Sequence, residues 1–314
     1  MGILVGINGF GRIGRNAARV ILNSPQLSLG AINSMSSSDS HTYLLSHDST
    51  HGAFAKTLDG VKIFAQKEPD NIPWGNVDVV LECTGKFRTT SEASKHSVKR
   101  VVISSPAKDD TPTYIMGVNH LSYKKETVVS NSSCTTNCVT TVLKVLHENF
   151  SVLRGSMTTV HAVTDSQNLL DNSHKKEVRL RRSALTNMIP TTSGSAKDVG
   201  KLFPHLVGKL PCRSIRVPIP AVSLIELVVE VAKKTTIEGV NTVFSQADMK
   251  GILSVATEEL VSSDYVGNPH SAVVDPFMTD VVSETLIHVT AWYDNEWGYA
   301  NRLVELASYV SSQH

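Results

Sequence analysis

The chain has 314 residues, 41% of them hydrophobic and 19% charged, with 30 Lys plus Arg against 29 Asp plus Glu. Its length suits two domains, and the near-neutral balance gives no polyelectrolyte attraction to nucleic acid or to an anionic membrane. Four cysteines, at 83, 134, 138 and 212, are too few for a disulfide framework, and their one close pair lacks the C-x-x-C spacing of redox and zinc motifs, so a reducing cytoplasmic setting without a metal is expected.

Residues 2–8 read as a short buried strand, with no basic leader before it. Gly9-Phe10-Gly11-Arg12-Ile13-Gly14 follows, and then a helical run with Ile13, Ala17, Val20 and Ile21 on one face, broken by Asn23-Ser24-Pro25. Leu27–Ile32 is a second strand. Further units follow, with strands at Val77–Cys83, Val101–Ser104 and Val128–Asn131 and a helix at Ser91–Val98. This alternation predicts a parallel sheet covered by helices. Val139, Val142, Leu143, Leu146 and Phe150 mark one face of the next helix, which places Cys134 near its N-terminus.

Beyond Phe150 longer β-rich runs appear at Met157–Val163, Arg213–Pro218, Leu224–Val231 and Leu286–Trp292. Gln167–Gly200 has no strong period and reads as a long loop. Helices are expected at Ile237–Met249 and Arg302–Val310, which makes the second half α+β. No stretch approaches the ~18 consecutive apolar residues of a membrane span.

Three features carry chemistry. A G-x-G-x-x-G that follows a strand and opens a helix is the context for a dinucleotide: the glycines make the turn and admit a pyrophosphate to the helix N-terminus. The acid that normally meets the ribose 2′-hydroxyl is missing, because the second strand ends Ala31-Ile32-Asn33-Ser34 and no carboxylate precedes Asp39. Either that hydroxyl is held loosely or a 2′-phosphate is admitted, unless another residue in space supplies the contact. Cys134 is the second feature. A lone cysteine beside a helix cap is more often a small buried residue than a nucleophile, but a helix N-terminus favours its thiolate. His161, on the strand Met157–Val163, is a candidate base that would form a thiolate–imidazolium pair with it. Arg216, the third, interrupts an apolar segment and calls for an anionic partner.

INGFGRIGR (7–15), HDSTHG (47–52), ECTGKF (82–87), SNSSCTTNC (130–138), TTVHAVT (158–164), IPTTSGSAK (189–197), RVPIP (216–220) and WYDNEWGY (292–299) occur in one order, and with them the chain resembles the glyceraldehyde-3-phosphate dehydrogenase family over nearly its whole length. The resemblance implies an α/β fold: a Rossmann dinucleotide-binding domain (1–132 and 296–314) and an α+β catalytic domain with a mixed sheet (133–295). It implies a homotetramer whose arginine-containing loop lies near a neighbour's cofactor. It also implies oxidation of a small phosphorylated aldehyde, with inorganic phosphate and NAD or NADP, through a thiohemiacetal and a thioester on Cys134, with His161 as base. Thr164 and Arg216 match the subsite for the substrate phosphate. Ser133, Ser193 and Gly194 match that for the attacking phosphate, and Thr135 belongs with this phosphate-binding set. Gly9, Gly11, Arg12, Ile13, Ser34, Lys67, Ser104 and Asn295 match cofactor positions, with Arg12 and Ile13 at the pyrophosphate and Asn295 at the carboxamide.

The chain departs from the family's NAD-specific pattern in places. Ser34 stands where NAD-specific members have an aspartate, and Asn172-Ser173 where they have Leu-Pro; both changes occur in members that accept NADP. Ser193 replaces a threonine, the arginines read Arg179-Leu180-Arg181-Arg182, and residues 53–66 are shorter than the usual hairpin region. Asn268–Ala272 and Asn295–Arg302 look like the related erythrose-4-phosphate dehydrogenase, whereas Thr164 is a phosphate-subsite residue that relative lacks. A non-catalytic binding paralogue is the reading from another class, and the intact cysteine, histidine and phosphate set argues against it.

Overall fold

A computed structural model describes residues 2–175 and 177–313. The chain separates into two compact units, Met1–Ser133 with Tyr299–His314, and Cys134–Gly298.

The first unit holds a sheet of β1 (Ile3–Asn8), β2 (Leu27–Asn33), β5 (Lys62–Phe64), β6 (Val79–Glu82), β7 (Arg100–Ile103) and β8 (Val128–Ser130), in the order β5-β2-β1-β6-β7-β8. Every pairing is parallel. The strands are short apolar runs; Val79, Val80 and Leu81 are fully buried, as expected where both faces are covered. A separate two-stranded ribbon pairs β3 (His47–Asp48) with β4 (Gly52–Ala53). Strand order reverses between β1 and β6, which makes the carboxyl ends of these strands the place where a ligand binds in such sheets.

Helix α1 (Arg12–Asn23) buries Gly14, Ala17, Ala18 and Ile21 and stops where Ser24 donates its N–H to Ile21 O. Helix α2 (Ser38–Ser46) is capped by the Ser37 hydroxyl, which accepts from the Ser40 N–H. The helix expected over Ser91–Val98 is shorter. A capping box of Thr89 and Glu92 starts α3 (Thr90–Ala93), one 3-10 turn follows, and Ser97 then takes a left-handed φ of 53° that ends the run.

The second unit is built on a mixed sheet. Its strands are β9 (Val152–Ala162), β10 (Ile189–Thr192), β11 (Cys212–Val217), β12 (Ser223–Val231), β13 (Leu253–Val255), β14 (Ala272–Val282) and β15 (Leu286–Tyr293), in the order β10-β11-β9-β12-β15-β14-β13. Helix α4 (Cys134–Phe150) lays Cys138, Val139, Val142, Leu143 and Leu146 into one core with Ile225, Leu227 and Val229 of β12 and Ile287 and Val289 of β15. Each such side chain contributes roughly 1.5–3 kcal/mol by leaving water. β12 buries alternate residues, so it turns one face to this core.

Four expectations beyond Gln167 change. The loop expected over Gln167–Gly200 contains an edge strand, β10, and the start of α5 (Ser195–Leu202); residue 176 lies outside the described residues. Pro190 hides that strand from a sequence pattern, but an edge position tolerates it. β14 was not expected, because Pro276 and a register shift between Asp275 and Asp280 break its alternation. Helix α6 (Ile237–Ser245) ends before Met249. Helix α7 (Trp297–Ser312) begins five residues before the expected Arg302, since the Asp294 carboxylate accepts the N–H groups of Glu296 (2.9 Å) and Trp297 (2.8 Å) and so caps an earlier turn.

Candidate active site

Ser132 takes a left-handed φ of 55° and turns the chain toward α4, with Cys134 as that helix's first residue. Three hydroxyls then pin the helix start to the sheet of the second unit. The buried phenol of Tyr293, on β15, lies 2.9 Å from Thr135 Oγ1 of α4 and 2.9 Å from Thr159 Oγ1 of β9. Thr159 in turn donates to Leu224 O at 2.9 Å. This clamp sets Cys134 against β9, where His161 Nε2 is 3.5 Å from Cys134 Sγ.

Parallel pairing of β9 with β11 places Arg216 directly beside His161. Arg216 Nη1 is 2.6 Å from His161 Nδ1 and donates to Ala162 O at 3.0 Å, while Nδ1 itself lies 2.7 Å from the same carbonyl. Arg216 has no carboxylate partner among the described residues, and its buried Nε has no hydrogen-bond partner. The anion that its apolar surroundings call for is therefore not supplied by these residues.

The surroundings of the expected thiolate–imidazolium pair act against charge on both partners. Burial pushes the Cys134 thiol up, against the opposing pull of Arg216 and the Thr135 N–H. Burial, and then the adjacent guanidinium, lower the His161 imidazole to about 3. Desolvation thus opposes the helix N-terminus at the thiol, and it disfavours the charged imidazolium.

The other phosphate candidates are held by local contacts of their own elements, and the register pairs Ile189, not the Ser193 end of β10, with Arg216. Ser133 is half-buried immediately before Cys134. Thr164 is exposed two residues past β9, its hydroxyl bonded to Ser166 (2.9 Å) and Gln167 (3.0 Å). Ser193 and Gly194 stand at the start of α5, where Gly194 is the cap residue and the Ser193 hydroxyl accepts from the Ser195 N–H at 3.3 Å. Asn295 is buried; its Oδ1 accepts from Ser223 Oγ at 3.1 Å, and Ser223 Oγ accepts from the Ala162 N–H.

In the first unit, Gly9, Ser34, Lys67 and Ser104 all follow the carboxyl ends of parallel strands. Gly9 has φ 95°, and a Cβ there would lie 2.7 Å from Thr84 N. A Cβ at Gly11 would meet nothing within 4 Å, no side chain caps α1, and no acid stands in its first turn. That open, uncapped helix end, with Ile13 just inside it, fits a dinucleotide pyrophosphate. The Arg12 side chain is committed to a bidentate pair with Asp48, whose carboxylate also accepts the Thr50 and His51 N–H groups at 2.9 Å. Burial would raise Asp48, but Arg12 and these two N–H groups hold it well below the usual range.

Several residues that matter to the site were not singled out from sequence. Glu82, at the end of β6, accepts from Asn8 Nδ2 (2.6 Å) and the Thr84 N–H (2.8 Å), and His96 Nε2 is 3.0 Å away. Asn8 Oδ1 accepts from Asn33 Nδ2 at 2.8 Å, and Asn33 Oδ1 accepts from the Gln66 N–H at 2.8 Å. This network joins the strand ends that carry Gly9, Ser34 and Lys67. Asn8, Asp48, Glu82 and Tyr293 all fall inside the ordered motifs, which was the one available signal.

A doubly wound parallel sheet with an uncapped glycine-turn helix, and a second unit with a half-buried cysteine beside a buried histidine and an arginine that has no carboxylate partner among the described residues, are features of a two-domain oxidoreductase of the dinucleotide-binding class. Family comparisons agree. Residues 3–90 match the model described as glyceraldehyde 3-phosphate dehydrogenase, NAD binding domain, and residues 133–295 match that family's C-terminal domain. The chain is 44% identical over 330 residues to glyceraldehyde-3-phosphate dehydrogenase 1 of Bacillus cereus, which covers 98% of each chain. It is 43% identical over 334 residues to glyceraldehyde-3-phosphate dehydrogenase of Geobacillus stearothermophilus, covering 100% of this chain and 99% of the relative. Glyceraldehyde-3-phosphate dehydrogenase 2 of Streptomyces avermitilis is 44% identical over 335 residues, with 100% of both covered. The chain belongs to the glyceraldehyde 3-phosphate dehydrogenase family. Among the described residues no helix is long and apolar enough to cross a membrane.

Proposed function

We propose that this enzyme oxidises glyceraldehyde 3-phosphate, with inorganic phosphate and NAD or NADP, to 1,3-bisphosphoglycerate. The observation that carries the reading is the Cys134 Sγ to His161 Nε2 approach of 3.5 Å at the first residue of a helix. His161 Nε2 takes the thiol proton as Cys134 Sγ adds to the aldehyde carbon and returns it to the oxygen, which forms a thiohemiacetal and leaves the imidazole neutral. The Cys134 N–H, at the head of α4, faces the oxygen that gains charge. His161 then removes the hydroxyl proton as the carbon is oxidised to a thioester. When bound, the nicotinamide accepts the hydride released in that oxidation. Phosphate attack on the thioester returns the thiol. Arg216 and Thr164 hold the substrate phosphate, and Ser133, Thr135, Ser193 and Gly194 serve the phosphate-binding set.

The first unit acts as the dinucleotide-binding domain and the second as the catalytic domain. Gly9, Gly11 and the first turn of α1 at Arg12 and Ile13 hold the pyrophosphate, while Ser34 meets the ribose; Lys67 and Ser104 complete the set. The lack of a carboxylate at Ser34 supports use of NADP as well as NAD. A cytoplasmic homotetramer is the assembly that fits family membership. Turnover of the purified enzyme with glyceraldehyde 3-phosphate, compared with erythrose 4-phosphate and measured before and after thiol alkylation, tests the activity. Preference for the four-carbon aldehyde, or turnover that survives alkylation of Cys134, would overturn it.

A further inference from the structure

The imidazole of His161 is enclosed by three titratable groups: Cys134 from α4, Arg216 from β11 and Tyr293 from β15, whose ring centroid is 6.0 Å away. Among the described residues, no carboxylate bonds to either ring nitrogen. Nδ1 faces both a guanidinium nitrogen at 2.6 Å and the Ala162 carbonyl at 2.7 Å. These two neighbours make opposite demands. A guanidinium N–H can only donate, so its contact requires a lone pair on Nδ1 and puts the proton on Nε2. The carbonyl can only accept, so it requires the proton on Nδ1 and leaves Nε2 free. Only the second form presents a lone pair toward Cys134. The guanidinium also repels the imidazolium that the base becomes, and this is one cause of its lowered affinity for a proton. So weak a base is poorly matched to proton transfer at neutral pH.

We propose that Arg216 is a positioning residue that couples occupancy of the phosphate subsite to His161: an anion on the guanidinium draws Nη1 away from Nδ1, so that Nδ1–H bonds Ala162 O and Nε2 turns an unprotonated face to Cys134. This rests on the reading of Arg216 as a phosphate ligand. The exchange moves one proton from Nε2 to Nδ1 through solvent and leaves the net charge of the ring unchanged. Charge-assisted bonds to an anion are stronger than a bond to a neutral nitrogen, which gives the guanidinium reason to move. The unpartnered Nε of Arg216 adds a further donor for that anion. With its guanidinium neutralised, the imidazolium is no longer opposed, and the base strengthens. The substrate's phosphate therefore does more than anchor: it arms the base that the reaction needs.

The test separates the phosphate from the aldehyde. Unphosphorylated glyceraldehyde is reacted with the full-length enzyme and excess NAD in the absence of phosphate, and the first turnover of NADH formation is followed. Sulfate serves as the probe anion, since it stays doubly charged from about pH 5 to pH 8, where an imidazole titrates. Against chloride at equal ionic strength, sulfate should raise the first-turnover rate about tenfold or more, and it should move the acid limb of the profile to higher pH. Arg216→Gln should abolish both responses. A wild-type rate and profile that are the same in sulfate and chloride, or activation that persists in Arg216→Gln, overturns the coupling. The subsite reading is tested separately by KM for glyceraldehyde 3-phosphate in Arg216→Gln. An unchanged KM refutes the subsite, and with it the coupling. A raised KM together with no sulfate response in the wild type refutes the coupling alone.

Discussion

Removing one oxygen, by Tyr293→Phe, should loosen Cys134 without touching it. The Tyr293 hydroxyl bridges Thr135 and Thr159 at 2.9 Å each, and the ring is 2% exposed, so water does not replace it. Thr159 keeps its bond to Leu224 O, but Thr135 loses the partner that ties the first turn of α4 to the sheet. A buried hydroxyl left unsatisfied costs about 1–3 kcal/mol, and phenylalanine restores no polar contact. Stability measured by urea unfolding should fall by that amount with an unchanged slope. Because Thr135 is adjacent to Cys134, the approach of Sγ to His161 should become less well defined, and kcat should fall about tenfold, equivalent to about 1.4 kcal/mol, with little change in cofactor affinity. Thr135→Val removes the same tie from the other side, so the double variant should cost much less than the sum of the two. Stability and kcat both at wild-type values in Tyr293→Phe would show that the clamp does not position Cys134.

Cys134→Ser should abolish turnover while cofactor binding, followed by fluorescence titration, stays near wild type; Cys138→Ser, one turn along α4 in the apolar core, should retain activity and lose about 1 kcal/mol or more of stability, since it buries a hydroxyl where a thiol packs. The His161 imidazole binds its proton less well folded than unfolded, so the unfolded state takes up more protons below the ordinary histidine value of 6.5, and stability should drop as pH falls from there toward about 3. His161→Asn should flatten that part of the urea-midpoint profile, and parallel profiles would refute the assignment. Wild type should use NADP at least as well as NAD, and Ser34→Asp should shift the ratio of kcat/KM toward NAD by about tenfold or more, because a carboxylate repels a 2′-phosphate; an unchanged ratio would count against the reading of Ser34, Asn172 and Ser173.

Much of the architecture follows from short-range pattern. The glycine turn needs φ 95° at Gly9 and an open helix end at α1, and both are local properties of GFGRIG. The apolar period from Val139 onward places Cys134 at the head of α4 because a helix repeats within a few residues. Elements whose pattern is interrupted were not legible: Pro190 in β10 and Pro276 in β14 break the alternation, and only pairing with neighbouring strands makes those segments regular. The chemistry of the site depended on tertiary structure still more. Nothing in the order of residues says that β9 and β11 pair in parallel with His161 beside Arg216, or that Tyr293 reaches both Thr135 and Thr159. Residue types and spacing pointed to a candidate nucleophile and a candidate base, but their surroundings are set by burial and, for the histidine, by a guanidinium that arrives from 55 residues away. Helix dipoles act within one turn and can be read from sequence, whereas desolvation depends on everything packed around a group and exists only once the chain has folded.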